Sequence, residues 1–294
     1  MRIKESVGRK IFVVFNTCFL LFLAAICVLP FIHVLALSFS SKLPASAGQV
    51  GLWPVGFTLE SYNFVIERSE FYTALLVTFR RLLIGVPLQM TVLILAAYPL
   101  SRENREFRFR TVYVWIFVIT MFLGGGLVPW YITISKLGLI DSIWALVLPN
   151  AVQVFSITIL LNFFRGLPKE LSESAMIDGA SHWTVLLRIY LPLSTPALAT
   201  LVLFSIVGHW NSWFDGLILM HRARNYPLQS YMYTTVVRMS SQFLARMDVE
   251  ALRNIATSTA RSAQIFVSAI PVILIYPFLQ KYFTKGLVIG SVKE

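Results

Sequence analysis

Residues 167–193 read L-P-K-E-L-S-E-S-A-M-I-D-G-A-S-H-W-T-V-L-L-R-I-Y-L-P-L, a polar stretch with folded character between two hydrophobic runs. Pro168 suits the first turn of a helix, and Gly179 suits the left-handed residue that ends one. The pattern therefore predicts a short helix over 168–178. After it, apolar residues recur at helical spacing and predict an amphipathic helix along an apolar surface: Trp183, Leu186, Leu187, Tyr190 and Leu191.

This stretch resembles the E-A-A…G…I-x-L-P signature of permease subunits of bacterial ABC importers. The matching positions are Glu173, Ala175, Asp178, Gly179, Ala180, Ile189, Leu191 and Pro192, with Ser174 where the family usually has alanine. The resemblance implies a type I importer permease fold, in which the loop 165–193 carries the coupling helix that docks into a cytoplasmic ATPase. Spacing alone leaves a plain helix–turn–helix between two membrane spans equally open.

Composition places the chain in a membrane. Of its 294 residues, 57% are hydrophobic and 13% are charged, and the mean hydropathy is +0.72. Soluble domains carry about a quarter charged residues. The net charge of +11 comes largely from basic residues in short loops beside apolar runs, so it does not indicate a nucleic-acid partner.

Six apolar runs predict an all-α protein with one transmembrane domain over 1–294. The expected spans are about 11–37, 82–101, 112–134, 143–164, 194–214 and 262–283. The first run is too long for a signal-peptide core, which needs about 7–15 residues, so we expect it to be retained as a span. The run Gly124-Gly125-Gly126 predicts a break in the third span.

The positive-inside rule gives the orientation. Four cations precede the first span and four more lie in 102–110, so these segments and both termini are expected in the cytoplasm. The segments 38–70 and 215–261 are then external loops. A bacterial cytoplasmic (inner) membrane is the expected location.

A second resemblance concerns the cargo. The segments 121–150 and 97–101 and the ending K-G-L-V-I-G-S-V-K are similar to the maltose-importer-like branch, in particular to a subgroup associated with plant and algal polysaccharide fragments. This implies a second, different permease, two ATPase subunits that bind ATP and Mg, an extracytoplasmic solute-binding protein and an oligosaccharide cargo. The chain itself lacks the G-x-x-x-x-G-K-[S/T] phosphate loop, so no cofactor is expected in it.

Polar residues inside spans are costly unless they face a cavity or a partner, so they are the candidate lining of the cargo path. On the fourth and fifth spans these are Asn150, Gln153, Ser156, Ser205, Trp210, Asn211, Ser212, Trp213 and Asp215. The other reading is that they only bridge helices. Arg80 and Arg81, at the outer end of the second span, predict an acidic, uronate-type cargo, although they could instead reach lipid headgroups or the binding protein.

Other classes of membrane protein fit less well. The four histidines show no H-E-x-x-H spacing and no G-x-S-x-G is present, so neither a metal site nor an embedded protease is predicted. An ion-coupled secondary carrier would need carboxylates in mid-span, whereas all fourteen acids lie in loops or at span ends. Import of neutral oligosaccharides remains the main alternative.

Overall fold

Helices make up the architecture throughout the computed structural model, which describes residues 7–236, 258–271 and 273–274. Among these residues no strand occurs, and a single bridge joins Ser40 to Phe57. The chain divides into two units. One contains the described residues within 1–69 and 235–270, and the other those within 70–234 and 271–294.

The first unit begins with a long apolar helix, α1 (Val7–Ser38), followed by α2 (Lys42–Ser46) and α3 (Glu60–Ile66). Phe39 stacks on Phe57 and packs against Tyr62, with ring centroids 5.3 and 4.8 Å apart. Almost all of the apolar surface of α1 is exposed within the chain. Such a surface is unfavourable in water and suits lipid or another membrane subunit.

The second unit contains the helices that carry the candidate sites. They are α4 (Ser69–Ser101), α5 (Arg110–Phe122), α6 (Leu127–Lys136), α7 (Ile143–Val147), α8 (Val154–Arg165), α9 (Glu170–Ile177), α10 (His182–Val185), α11 (Leu191–Leu193), α12 (Thr195–Asn211), α13 (Phe214–Leu219) and the start of α14 (Leu228–Val236). A π-helical turn, Leu186–Tyr190, joins α10 to α11, and 3₁₀ turns lie at Leu148–Asn150 and Ala223–Asn225.

The later part of the chain is also helical where it is described. Residues 258–270 belong to the first unit, and residues 271 and 273–274 belong to the second.

Two of the described helices, α1 and α4, are long and apolar enough to cross a membrane alone. Three bent pairs also qualify if each is one span: α5 with α6 (114°), the helix from α7 to Asn150 with α8 (47°), and the helix His182–Leu193 with α12 (81°). The first of these bends lies at the glycine run, as expected. Of the predicted sixth span, 262–283, residues 262–271 and 273–274 are described and helical, and the rest falls outside the described residues.

Helix limits differ from the predicted span limits in three places. Helix α4 begins at Ser69 rather than near Leu82, because buried residues continue at helical spacing before the two arginines: Phe71, Ala74 and Thr78. The segment 215–261, expected to be a long loop, contains α13 and α14. The end of α12 is also displaced, since the chain leaves the helix at Asn211 and re-enters a helix at Phe214.

A polar seam joins α4 to α12 in antiparallel register. Ser205 donates to Gln89 at 2.5 Å, Gly85 lies against the His209 ring, and Arg81 Nε donates to His209 Nδ1 at 3.2 Å. The four-residue step from Gly85 to Gln89 along α4 thus matches the step from His209 back to Ser205 along α12. Because these side chains are buried, their mutual hydrogen bonds fix which faces of the two helices meet.

Beyond the α12 break, the seam ends in an ion pair. Arg81 is fully buried, and its two terminal nitrogens donate to the two carboxylate oxygens of Asp215 on α13. Ser212 Oγ and the Gly216 N–H also donate to Asp215, each at 2.8 Å. The carboxylate therefore holds α13 against α4.

The close approach of Gly85 to His209 allows the contact between α4 and α12 to be tested. A Cβ at position 85 would lie 2.9 Å from the ring of a buried histidine, so Gly85→Ala should lower stability by about 1–3 kcal/mol. We expect a lower melting temperature for the purified complex, followed by tryptophan fluorescence. Gly208→Ala on α12 is the matched control, since a Cβ there has no atom within 4 Å. Equal melting temperatures would contradict the close approach.

Candidate functional site

The loop between α8 and α12 turns at Gly179. Helix α9 ends at Ile177, and Gly179 has φ +83°, the left-handed conformation that its sequence context predicts. Ser181 Oγ then accepts the Thr184 N–H and caps α10. The loop is thus two helical arms that meet at a glycine.

The signature residues of this loop fall into two sets. Glu173, Ser174, Asp178, Gly179 and Pro192 are exposed, whereas Ala175, Ala180, Ile189 and Leu191 are half-buried and pack on the main hydrophobic core. That core is formed by α4, α8, α12 and the loop itself. The signature therefore combines an outward-facing turn with apolar anchors that hold the turn in place.

Large apolar side chains surround the exposed turn. Ile177 is 86% exposed and Trp183 is 61% exposed, and Leu171 and Leu187 are also exposed. In a polar loop, a group of exposed large apolar residues is typical of a surface that binds another protein. The arrangement provides a rigid apolar projection with a glycine at its tip.

A salt bridge at the base of the loop links it to the segment after α4. Lys169 pairs with Glu103, and both side chains are more than half exposed. Their hydrogen bond and attraction lower the pKa of Glu103 and raise the pKa of Lys169. Because the pair is solvated, its contribution to stability is small.

On the second unit an open cavity of about 680 Å³ brings several predicted path residues together. Its lining includes Asn150, Ser212 and Asp215, together with the glycine run and two aromatic residues, Trp130 and Phe214. Hydroxyl and amide groups beside aromatic faces can bind the polar edges and the apolar faces of a sugar ring. The break at the glycine run opens this wall, since the α5–α6 backbone bends away there.

The other predicted path residues lie outside this lining. Ser156 is buried and donates to Gln153, and Ser205 is buried in the seam with α4. Trp210 packs edge-on against Phe79, while Trp213 stacks on Tyr233 at 4.4 Å. Asn211 is exposed at the end of α12.

The two predicted outer arginines have different environments. Arg80 is exposed, and it lines a small pocket with Asp141 and Asn225. Arg81 is fully buried with Asp215, so of the two only Arg80 contributes to a charged surface. The sequence shows two adjacent arginines but not that the helix points them in different directions.

Asp141 organises the neighbouring basic loop. Its carboxylate accepts the backbone N–H groups of His221 and Arg222, at 2.8 and 3.1 Å, and the Asn225 amide at 3.3 Å. Burial alone raises the pKa of Asp141, but these donors outweigh it and hold the pKa below its usual value. Arg222 and Arg224 are exposed on the loop so fixed.

Some residues of these sites escaped the sequence reasoning. The lining predicted from the sequence includes neither Gln89 nor His209, although Arg81, Gly85 and Gln89 stand at four-residue spacing, as do Ser205 and His209. That spacing was a usable signal of a polar helix face. Arg102 also contacts the loop, through Ser172 and the ring of Tyr190, which no sequence spacing indicates.

Comparisons with known proteins place the chain in a family, although no family model matches it. It is 38% identical over 275 residues to the polygalacturonan/rhamnogalacturonan transport system permease protein YtcP of Bacillus subtilis, covering 94% of this chain and 96% of that protein. It is 30% identical over 298 residues to the trehalose/maltose transport system permease protein MalG of Thermococcus litoralis, covering 99% of each.

A solved structure agrees with these relatives. A chain of a bacterial ABC transporter involved in the import of the acidic polysaccharide alginate matches with a TM-score of 0.87 at 30% identity, over 96% of this chain and 99% of that chain. Sequence and fold are therefore shared over nearly the whole length. The chain belongs to the membrane permease subunits of carbohydrate ABC importers.

Proposed function

We propose that the chain forms one half of a heterodimeric pore with a second permease, driven by two ATPase subunits that bind ATP and Mg. The supporting observation is the loop 165–193, whose exposed apolar residues surround a left-handed glycine while its anchors are packed on the core. In this proposal α9 is the coupling helix and Gly179 lets the turn fit closely into the ATPase. An extracytoplasmic binding protein delivers the cargo.

The proposed topology has six spans with both termini in the cytoplasm. The arginine-rich segment 102–110 and the loop 165–193 then lie together on the cytoplasmic side, which the Lys169–Glu103 salt bridge between them supports. The segments around Asp141 and Arg222 lie on the outer side.

The proposed cargo is an acidic oligosaccharide of the uronate type, which enters through the cavity beside the glycine run. Exposed cations at Arg80, Arg222 and Arg224 support an anionic cargo, since clustered positive charge raises the local concentration of anions. The names of YtcP and of the alginate importer also refer to acidic polysaccharides. The likeness to MalG favours a neutral oligosaccharide as the alternative.

The coupling role of the turn can be tested with a pair of glycines. Gly179→Val forces a β-branched residue into a left-handed conformation, which costs about 1–2 kcal/mol, and adds bulk where the ATPase docks. We expect sugar uptake to fall far more than ATP hydrolysis, or the ATPase to dissociate. Gly138→Val is the control, because Gly138 has φ +68° and open space but lies in another loop. Normal coupling in Gly179→Val would refute the assignment.

Competition can identify the cargo. In liposomes containing the assembled complex and its binding protein, galacturonate or alginate oligomers should stimulate ATP hydrolysis and be imported. Maltose-type oligomers of equal length should do neither. Import of the neutral oligomers without competition from uronate oligomers would establish the neutral alternative.

Substitutions of the two adjacent arginines can distinguish an electrostatic role in cargo binding from a structural role. Arg80→Gln removes an exposed cation, so it should leave assembly unchanged and raise the uptake KM for an acidic cargo. Arg81→Gln leaves the Asp215 carboxylate buried without its partner, which costs about 3–5 kcal/mol, so the complex itself should be lost. The amount of complex in the membrane and the KM are the two measurements. Equal assembly of both variants would refute the structural role of Arg81.

A further inference from the structure

Arg102, just beyond the end of α4, lies against two aromatic rings that also contact each other edge to face. Its guanidinium carbon is 4.7 Å from the ring centre of Tyr98, on α4, and 4.8 Å from that of Tyr190, in the π-helical turn of the loop. The side chain is only 9% exposed. A cation that lies against two rings and is shielded from water is attracted to both of them.

Hydrogen bonds extend this contact to the first arm of the loop. Arg102 Nη2 donates to Tyr98 Oη at 2.7 Å, and Nη1 donates to Ser172 Oγ at 3.3 Å. Ser172 lies on α9 and is itself buried, with its hydroxyl donating to the Lys169 carbonyl. One guanidinium therefore joins α4 to both arms of the loop.

The loop also makes longer hydrogen bonds to α4: His182 Nδ1 lies 3.4 Å from the Tyr98 hydroxyl, and Arg165 donates to the Leu100 carbonyl at 3.5 Å. The apolar anchors of the loop fix position without fixing angle. A planar guanidinium that stacks and donates at the same time sets the angle as well. A substitution that removes the planar guanidinium but keeps the positive charge is therefore the informative one.

The same helix reaches the proposed cargo cavity. Arg81 on α4 holds Asp215, which lines that cavity, and the stretch of α4 from Arg81 to Tyr98 spans about 26 Å at a helical rise of about 1.5 Å per residue. The loop and the cavity wall are thus both attached to this helix, one through Arg102 and the other through Arg81.

We propose that Arg102 is the positioning residue that fastens the coupling loop to α4, so that movement of the loop on ATP hydrolysis reaches the cargo cavity through this helix. The proposal rests on the proposed function for its transport consequence. Its structural part, the fixed angle between loop and helix, stands on the contacts alone.

The transport test uses the complete complex in liposomes, with ATP hydrolysed per sugar imported as the readout. Arg102→Lys keeps the positive charge but loses the planar guanidinium and its paired donors. We expect it to raise the ratio of ATP hydrolysed to sugar imported several-fold at an unchanged amount of complex. Tyr190→Leu should do the same, while Tyr190→Phe, which keeps the ring, should not. Arg105→Lys is the control, because Arg105 is exposed in the same segment. An unchanged ratio in Arg102→Lys, or uptake and hydrolysis falling together as complex is lost, would overturn the proposal.

A second measurement does not depend on transport. Spin labels at the exposed positions Arg188, on the loop, and Leu95, on α4, report the distance between the two elements after Cys18 and Cys27 are replaced by serine. We expect a narrow distribution in the otherwise unchanged complex and a broad one in Arg102→Lys. A distribution that stays narrow would overturn the positioning role. Absence of ATP-driven uptake by the unaltered complex would instead refute the proposed function, and the distance measurement would still decide the role of Arg102.

Discussion

The buried ion pair of Arg81 and Asp215 constrains the whole second unit. A guanidinium with no exposed surface inside an apolar helix is strongly unfavourable unless a carboxylate meets it, and here the two groups make a bidentate contact. Because Asp215 lies beyond the break at the end of α12, the pair requires α12 to stop and α13 to turn back toward α4. The seam of Gln89, Gly85 and His209 then follows in register, since the helices are already aligned at one end.

The opposite end of α4 is held in a different way. There Arg102 lies against the rings of two tyrosines, and it joins α4 to a loop whose outer surface is exposed and apolar. A cation–π contact is worth about 0.5–1 kcal/mol at an exposed site and about 2 or more when desolvated, below the 3–5 kcal/mol lost when one partner of a buried pair is removed. The attachment at the loop can therefore be altered at a smaller cost in stability than the one at the cavity.

How much of this the sequence could predict depends on the range of the interaction. The turn at Gly179 was predictable because helix ends depend on local conformational preference, and so was the break at Gly124–Gly126. The partner of Arg81 was not, because Asp215 lies 134 residues away in the chain and no local pattern records such a pairing. The start of α4 at Ser69 is hidden for the same reason, since two adjacent arginines suggest the end of a span unless one is known to be neutralised.

The neutralisation of Asp215 by Arg81 also affects which ligands the cavity can bind. Asp215 is the one ionisable residue in the lining of this cavity as formed by the described part of the chain, and an isolated carboxylate there would repel an anionic sugar. With Arg81 bound to both of its oxygens, the wall carries no net charge from this pair, and the remaining lining is aromatic, hydroxyl, amide and glycine backbone. If the cavity takes the cargo as proposed, a preference for charge must come from residues outside its lining, and the exposed cations at Arg80 and on the loop fixed by Asp141 are the candidates. The ion pair that holds the helices together would then leave the cavity open to acidic and neutral ligands alike.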